Sequence, residues 1–499
     1  MTATIIRNGR VLDVGAQRAD PSDLLVDDGM IREIGRPGMA APEGAAVLDA
    51  RDRLLIPGLV NAHTHSQGAL ARGLPGDRVP LEILLTTGAA IGGSRGLEDK
   101  YLSAQLSAIE MVRKGCTACY DLLAEYPGPT VDGMYAVARA YADVGMRAVL
   151  APMMADRTLY QALPGLLDAI PAPDRQRVEA LRMSPYESSV AVCRDVLRGW
   201  PVDRARVRPA LGPTIPMHCS DEFLTACRDL AREYDVPLQT HLAESRGQAV
   251  LGRKKYGKTL TAHLADLGLL GPRFSGAHGV WLDADDIRRL ADAGAGVAHN
   301  PTSNLRLGNG VAATRLMLET GLRVGVGTDS ASSSDTQNMF EALRWACYLS
   351  RIGTPDYRRW LTAAEAFTMA TAGSAGVLGM EGQIGRLAPG YRADIVFLDL
   401  TRPDYVPLND VLLQLVFTES GASVDSVMID GRLVLDHGRL LTVDEPKVRA
   451  AAEAAAARLR AANADTVAAA RALERFVGAF CVGLAREPYP VARALALDA

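Results

Sequence analysis

The sequence predicts an α/β protein: a (β/α)8 TIM barrel, a small β-sandwich domain built from N- and C-terminal segments, and a helical C-terminal tail. Three observations lead there. Eight short apolar runs alternate with helical stretches through the middle of the chain. Strand-and-turn patterns stand on both flanks of that region. Past Thr442 the composition shifts to Ala, Arg and Glu, strong helix formers with few breakers.

The apolar runs are Leu54–Val60, Thr117–Tyr120, Ala148–Ala151, Val207–Leu211, Leu238–Thr240, Phe274–Ala277, Gly296–Ala298 and Val324–Gly327. Helical patterns such as Leu102–Arg113, Met134–Val144, Asp221–Tyr234 and Ala284–Ala293 separate them. No Gly-rich phosphate fingerprint follows the first run, which argues against a doubly wound open sheet. On the N-terminal flank, Thr4–Arg7, Val11–Val14, Asp23–Val26, Met30–Ile34 and Ala46–Asp49 read as strands joined by turns such as Asn8-Gly9. Ile395–Leu400, Ser426–Ile429 and Arg432–Leu435, with Asp430-Gly431 as a hairpin turn, repeat the pattern near the end. The expected domains are 1–54 with 382–440, then 55–381, then a tail over 441–499 that packs on the barrel or on a second subunit.

The chain has 499 residues, 48% hydrophobic and 22% charged, as in globular proteins. Its 54 basic and 58 acidic residues leave a formal charge of −4, which offers no footprint for nucleic acid or an anionic membrane. Seven dispersed cysteines point to a reducing compartment rather than a disulfide framework. The N-terminus lacks an apolar signal core, and no run of about 18 apolar residues appears. A cytoplasmic protein is expected.

Eight histidines carry the functional signal. His63 and His65, two apart after the first run, point to the same side of a strand. His241, His278, His299 and Asp329 each end a later run. In a barrel all these positions face the C-terminal mouth, so imidazoles and a carboxylate converge in one cleft suited to a divalent metal. Glu244, three residues past His241, is placed to accept a proton there and return it to a leaving group.

The segments PGLVNAHTH (57–65), CSDE (219–222), QTHLAES (239–245), GAHGVWL (276–282), HNPTSNLRLGNG (299–310), GVGTDS (325–330) and GRLAPGYRADIVFLDL (385–400) together resemble the amidohydrolase superfamily. The nearest branch holds guanine deaminase, S-adenosylhomocysteine deaminase and the triazine hydrolases. The resemblance implies metal ligands at His63, His65, His241 and Asp329, with Asp329 also taking the water's proton. It implies a polarising role for His278 and a proton shuttle at Glu244. The fourth run, VRPALGPTI, lacks the lysine that bridges two metals in binuclear members. One divalent ion per chain is therefore expected, zinc by default and iron as the alternative.

Gln67 and Arg72 are candidates for the pocket wall, Arg72 equally for a structural ion pair. His218, Ser303 and Asn304 are further candidates for substrate contacts. Thr214 stands where S-adenosylhomocysteine deaminase-like members have a histidine, which argues against that substrate. His299 is expected to be structural, Cys116 and Cys119 to be buried rather than redox-active, and Arg253–Lys258 to be a solvated helix end. The expected activity is removal of an amine from a nitrogen heterocycle, a small molecule, by water. Cleavage of another bond, in a chlorinated or alkylamino triazine or an amide, is the alternative. A non-catalytic barrel would have no chemical reason to keep the whole set. Analogy with the family suggests a homodimer.

Overall fold

A computed structural model describes residues 3–494; Met1, Thr2 and the last five positions of the expected tail lie outside the described residues. The N-terminal flank forms β1 (Thr4–Asp13), β2 (Arg18–Asp27), β3 (Met30–Gly35), β4 (Ala46–Asp49) and β5 (Arg53–Pro57). The Asn8-Gly9 pair is not the expected hairpin turn. It is a bulge inside β1: the register with β2 jumps between Ile6 and Gly9, and Asn8 takes φ 66°. A Cβ on Gly9 would sit 2.4 Å from Leu55 Cδ1, so close packing rather than a turn explains this glycine.

The run Leu54–Val60 divides between two sheets. β5 ends at Pro57, and β6 (Leu59–Thr64) starts the barrel after Gly58. The barrel continues through β7 (Cys116–Ala124), β8 (Arg147–Met154), β9 (Val207–Pro209), β10 (Gly212–Pro213), β11 (Leu238–Leu242), β12 (Phe274–His278), β13 (Gly296–His299) and β14 (Arg323–Val326). Neighbours pair in parallel from β6 to β8, β8 pairs with β9 and β10, and β11 to β14 pair in turn. The interruption between β9 and β10 falls between Pro209 and Pro213, which lack the N–H that a ladder needs. A bridge between Leu211 and Leu238 joins the two groups of strands. The opposite seam closes where the Asp329 N–H reaches His63 O at 2.9 Å and the Thr328 N–H reaches Asn61 Oδ1 at 3.0 Å. Eight strand positions thus complete the ring.

The chain then returns through β15 (Ile395–Asp399), β16 (Val424–Ile429), β17 (Arg432–Asp436) and β18 (Arg439–Leu440). β15 pairs antiparallel with β5, so both flanks share one nine-stranded sheet. That sheet curls on itself: Ile31 N bonds Tyr391 O at 2.8 Å and Ala393 N bonds Gly29 O at 2.9 Å. Ile6, Leu24, Ile31, Leu55, Ile395 and Phe397 are buried between its halves. Arg147, at the start of β8, donates to Asp394 at 2.8 Å and to Asp430 at 2.7 Å, a buried and fully paired joint between barrel and sheet.

The expected helical tail is two helices, Glu445–Ala462 and Ala464–Ala485. The break falls at Asn463, whose side chain turns away to Ile91 O at 3.0 Å and to the Ser94 hydroxyl at 2.6 Å. Val448, Ala452, Ala455 and Leu459, then Leu473, Val477, Cys481 and Leu484, form a buried stripe at helical spacing. Among the described residues, no helix is long and apolar enough to cross a membrane.

Gly58, at the crossing between sheet and barrel, has no room for a side chain: a Cβ there would lie 2.1 Å from Thr117 Oγ1 and 2.7 Å from its Cβ. Gly58→Ala is expected to lose about 1–3 kcal/mol in urea unfolding. Thr117→Gly, which removes the Cβ as well, should cost less in the Gly58→Ala background than in the wild type, and equal costs would refute the contact as the cause.

Candidate active site

Each imidazole at the barrel mouth is oriented by what its Nδ1 touches. His63 Nδ1 lies 2.7 Å from Gln239 Oε1; the Gln239 amide nitrogen donates to Ala62 O and Ser275 Oγ, which fixes the oxygen toward the ring. His65 Nδ1 donates to Leu122 O at 2.7 Å, and His241 Nδ1 to Thr214 O at 2.6 Å. The protons therefore sit on Nδ1, and the Nε2 lone pairs point inward. Burial and the neighbouring rings hold His63 well below the usual histidine range, and the same causes push His241 down to about 3. Both stay neutral.

His65 Nε2 and His241 Nε2 face each other at 3.1 Å, although neither carries a proton in this arrangement. His63 Nε2 is buried without a hydrogen-bond partner. Asp329 Oδ1 stands 3.3 Å from His65 Nε2 and 3.8 Å from His63 Nε2. Its other oxygen accepts from the Ser303 hydroxyl at 2.5 Å. Burial works against ionisation of Asp329, but His65 and His63 outweigh it and hold the carboxyl far below the carboxylate range. The ligand atoms of His63, His65 and His241 all lie within 4.8 Å of one another. Converging nitrogen lone pairs beside an ionised carboxylate, with one donor left orphaned, fit a divalent cation bound by nitrogen and oxygen.

Glu244 and His278 complete the cluster. Glu244 Oε1 accepts from Asn309 Nδ2 at 3.0 Å, while Oε2 is buried, unpartnered and 3.6 Å from His278 Nε2. His278 Nδ1 is held at 2.9 Å by Asn304 Oδ1. Burial, then Asp329 and Glu82, push the Glu244 carboxyl well above its usual range. Ala243, His278 and Asp329 adopt left-handed φ of 49°, 73° and 62°. Such backbone is costly for non-glycine residues and persists where the surroundings impose it. Here Trp281 N bonds Ala243 O at 2.8 Å, tying the two loops together.

The residues singled out in the sequence fall into three groups. Gln67 and Thr214 line the cavity with His65, His241, Glu244 and His278. Ser303 and Asn304 are corrected: they hold Asp329 and His278 instead of opening to the cavity. Arg72 takes the second of its two expected roles, an ion pair with Glu110. His218 is corrected too: it lines a separate small void with Glu82, Met217 and Leu251. His299 is buried with Nδ1 unpartnered, and burial pushes it down to about 3. Cys116 and Cys119 are buried in β7, where burial pushes the Cys116 thiol up to about 12.

Gln239 and Asn309 escaped the sequence reading. Gln239 had a signal, since it precedes His241 by two and shares its side of β11. Asn309 had none. The end of the tail was equally unforeseen here. Arg493 donates to Val280 O at 2.9 Å and Leu282 O at 2.7 Å, and its carbonyl accepts from Val311 N at 2.7 Å. Trp281 Nε1 in turn donates to Asn309 O at 2.7 Å. The tail thus reaches the loop that holds Glu244.

The amidohydrolase family model matches residues 54–434. The chain belongs to the amidohydrolase family. One amidohydrolase relative is the 5-methylthioadenosine/S-adenosylhomocysteine deaminase of Syntrophomonas wolfei. It is 34% identical over 440 residues, which cover 87% of this chain and 94% of that protein. The crystal structure of an adenosine deaminase from Xanthomonas campestris with bound zinc superposes with TM-score 0.81 at 27% identity, over 92% of this chain and 99% of that one. The atrazine chlorohydrolase of Arthrobacter aurescens, complexed with zinc, gives TM-score 0.81 at 28% identity, over 91% and 100%.

His218 generates a prediction about acid. Burial lowers its pKa from 6.5 to about 4. Its contribution to stability is complete above about 6.5 and is lost as pH falls toward about 4, because the unfolded chain then binds a proton that the folded one refuses. Between pH 7 and pH 5 the wild type should lose about 2 kcal/mol more than His218→Phe. Denaturant titrations at both pH values measure this, and equal losses would refute it.

Proposed function

We propose that this amidohydrolase removes ammonia from an amino-substituted nitrogen heterocycle, with adenine nucleosides the leading substrate class. The reading is carried by Glu244: a buried carboxyl with a free oxygen at the cavity, beside His278 and the His63–His65–His241–Asp329 cluster. Those four residues would hold one divalent ion, zinc on the strength of the zinc-bound neighbours and the nitrogen and oxygen donors. The absence of a lysine on β9 and β10 supports a single ion. When bound, such an ion supplies a nucleophilic water at neutral pH.

The protein's own groups then divide the proton work. Asp329, which accepts hydrogen bonds from the Ser303 hydroxyl and the Ser330 N–H, takes a proton from the attacking water. Glu244, a buried carboxyl pushed well above its usual range, passes a proton to substrate nitrogen; ammonia needs it, because amide ion is too basic to leave. His278, fixed by Asn304, stabilises charge that develops on the ring as water adds. The buried walls exclude bulk water, which strengthens each of these interactions. Overall one water is consumed, one C–N bond breaks, a C–O bond forms and ammonia leaves; Asp329 then gives up the proton it took and Glu244 takes one back, so no net proton is gained or lost.

Metal analysis of the purified, metal-replete protein should give near one equivalent of divalent ion per chain. Removing it with a chelator should abolish turnover, and adding zinc should restore it. Two tightly held ions, or none under any condition, would refute the ligand set.

Metal-replete protein should release ammonia from at least one amino-substituted purine, pteridine, pyrimidine or triazine. Glu244→Gln should lower the rate by about 10²–10⁴ while keeping the metal. The similarity to an atrazine chlorohydrolase supplies a second reading, loss of chloride or an alkylamine from a triazine. If the amino panel is untouched while a chlorinated ring or a carboxamide is hydrolysed, that second reading replaces the first.

A further inference from the structure

Among the described residues, the Glu244 carboxyl has one hydrogen-bond donor, Asn309 Nδ2 at 3.0 Å from Oε1. The last torsion of a glutamate is soft. One bond therefore sets how the carboxyl is turned and whether Oε2 faces His278, 3.6 Å away. Asn309 is buried and held by its backbone. Its N–H donates to Asn304 O at 2.8 Å, and its carbonyl accepts from Trp281 Nε1 at 2.7 Å. The orientation of Glu244 thus depends on how two loops meet, one around Trp281 and one around Asn309.

The far end of the chain clamps those two loops together. The Arg493 guanidinium donates to Val280 O at 2.9 Å and to Leu282 O at 2.7 Å, on either side of Trp281. The Arg493 carbonyl accepts from the Val311 N–H at 2.7 Å, two residues past Asn309. The approach is close: a Cβ on Gly310 would lie 2.6 Å from the Arg493 carbonyl oxygen, and Gly310 takes φ 112°. Tyr489 meets the Trp281 ring edge-on at 5.9 Å, and its hydroxyl donates to Trp281 O at 3.3 Å. Arg246, two residues past Glu244, donates to Glu487 O at 2.7 Å and lies over the Trp281 ring. Bonds from a charged guanidinium to carbonyls are stronger than neutral ones, so Arg493 is the firm point of this segment.

We propose that Arg493 is a positioning residue for the reaction: by clamping the loops 280–282 and 308–311 together it keeps Asn309 on Glu244 Oε1 and so keeps Oε2 turned to His278. The proton work of Glu244 rests on the aminohydrolase reading; the clamp and its hold on the Glu244 carboxyl do not.

The test compares Arg493→Ala, Arg493→Lys and Asn309→Ala in the metal-loaded full chain. The first readout needs no substrate. The infrared carboxyl band of Glu244, assigned by its loss in Glu244→Gln, should shift in Asn309→Ala and in the same direction in Arg493→Ala. An unmoved band in either variant overturns the proposal whatever reaction the protein catalyses. The second readout is kinetic. In Arg493→Ala, kcat for ammonia release should fall about 10–100-fold, as misplacement of a reacting group does. KM and metal content should stay near the wild type, because the loss falls on the chemical step. Arg493→Lys, which keeps a donor for one of the two carbonyls, should retain part of the rate and of the band position, and it carries the test if Arg493→Ala folds poorly. The effects should not add: the double variant should be no slower than Asn309→Ala, and Arg493→Ala should lower the residual rate of Glu244→Gln by less than about twofold. Additive losses would overturn the proposal. A wild type that releases no ammonia while the band shifts as expected refutes the aminohydrolase reading alone, and full deamination by Arg493→Ala refutes the clamp alone.

Discussion

Three imidazoles whose Nε2 atoms are aimed at one another by the bonds their Nδ1 atoms make are the constraint on which the rest of this molecule depends. His65 and His241 meet through unprotonated nitrogens at 3.1 Å, with Asp329 Oδ1 at 3.3 Å. Such an arrangement repels itself unless a cation sits within it, and it is maintained by hydrogen bonds on the far side of each ring. Two of those bonds use backbone carbonyls of neighbouring barrel strands, and the third uses Gln239 reaching across to β6. The barrel therefore does more than bring the rings close. It determines which nitrogen carries the proton, and hence whether a metal can bind.

That demand is met at some conformational cost. Ala243, His278 and Asp329 all sit in left-handed backbone, each just where a strand ends and a functional side chain must turn into the cleft. The seam through Asn61, Thr328 and His63 holds the Asp329 turn. The turn at His278 is held by Asn304 and by the loop contacts around Trp281. Arg493 adds three bonds from the far end of the chain. Polar groups that elsewhere would be candidates for substrate contacts are here occupied in keeping two carboxyls and an imidazole in place.

The cleft is also electrically asymmetric. Carboxyls and imidazoles gather at the barrel mouth, while Arg95 lines the cleft beyond the helix Leu81–Gly92, with its Nε buried and without a hydrogen bond. Burial and the negative charge of Asp329 push the Glu244 carboxyl up, while Asp329 itself is pushed down, so the two carboxyls differ in how readily they hold a proton. The two groups differ in their partners: Asp329 faces imidazoles and a hydroxyl, whereas Glu244 has a single amide donor.

By itself the sequence determined the barrel, the composite sheet, the helical tail and the convergence of His63, His65, His241, His278 and Asp329 at strand ends. Those features are local: a two-residue alternation, an apolar run and a helix period are written in contiguous residues, and barrel topology sends all strand ends to one side. Where a local signal had two meanings, the sequence could mislead. Asn8-Gly9 serves a turn or a bulge equally, and the packing of Leu55 against Gly9 decided for the bulge. Only the tertiary structure decided that Ser303 and Asn304 hold Asp329 and His278, that Arg72 turns to Glu110, and that Asn309 reaches Glu244. Each of those outcomes depends on which distant side chain arrives within about 3 Å, a matter of how whole segments pack, which no spacing along the chain encodes.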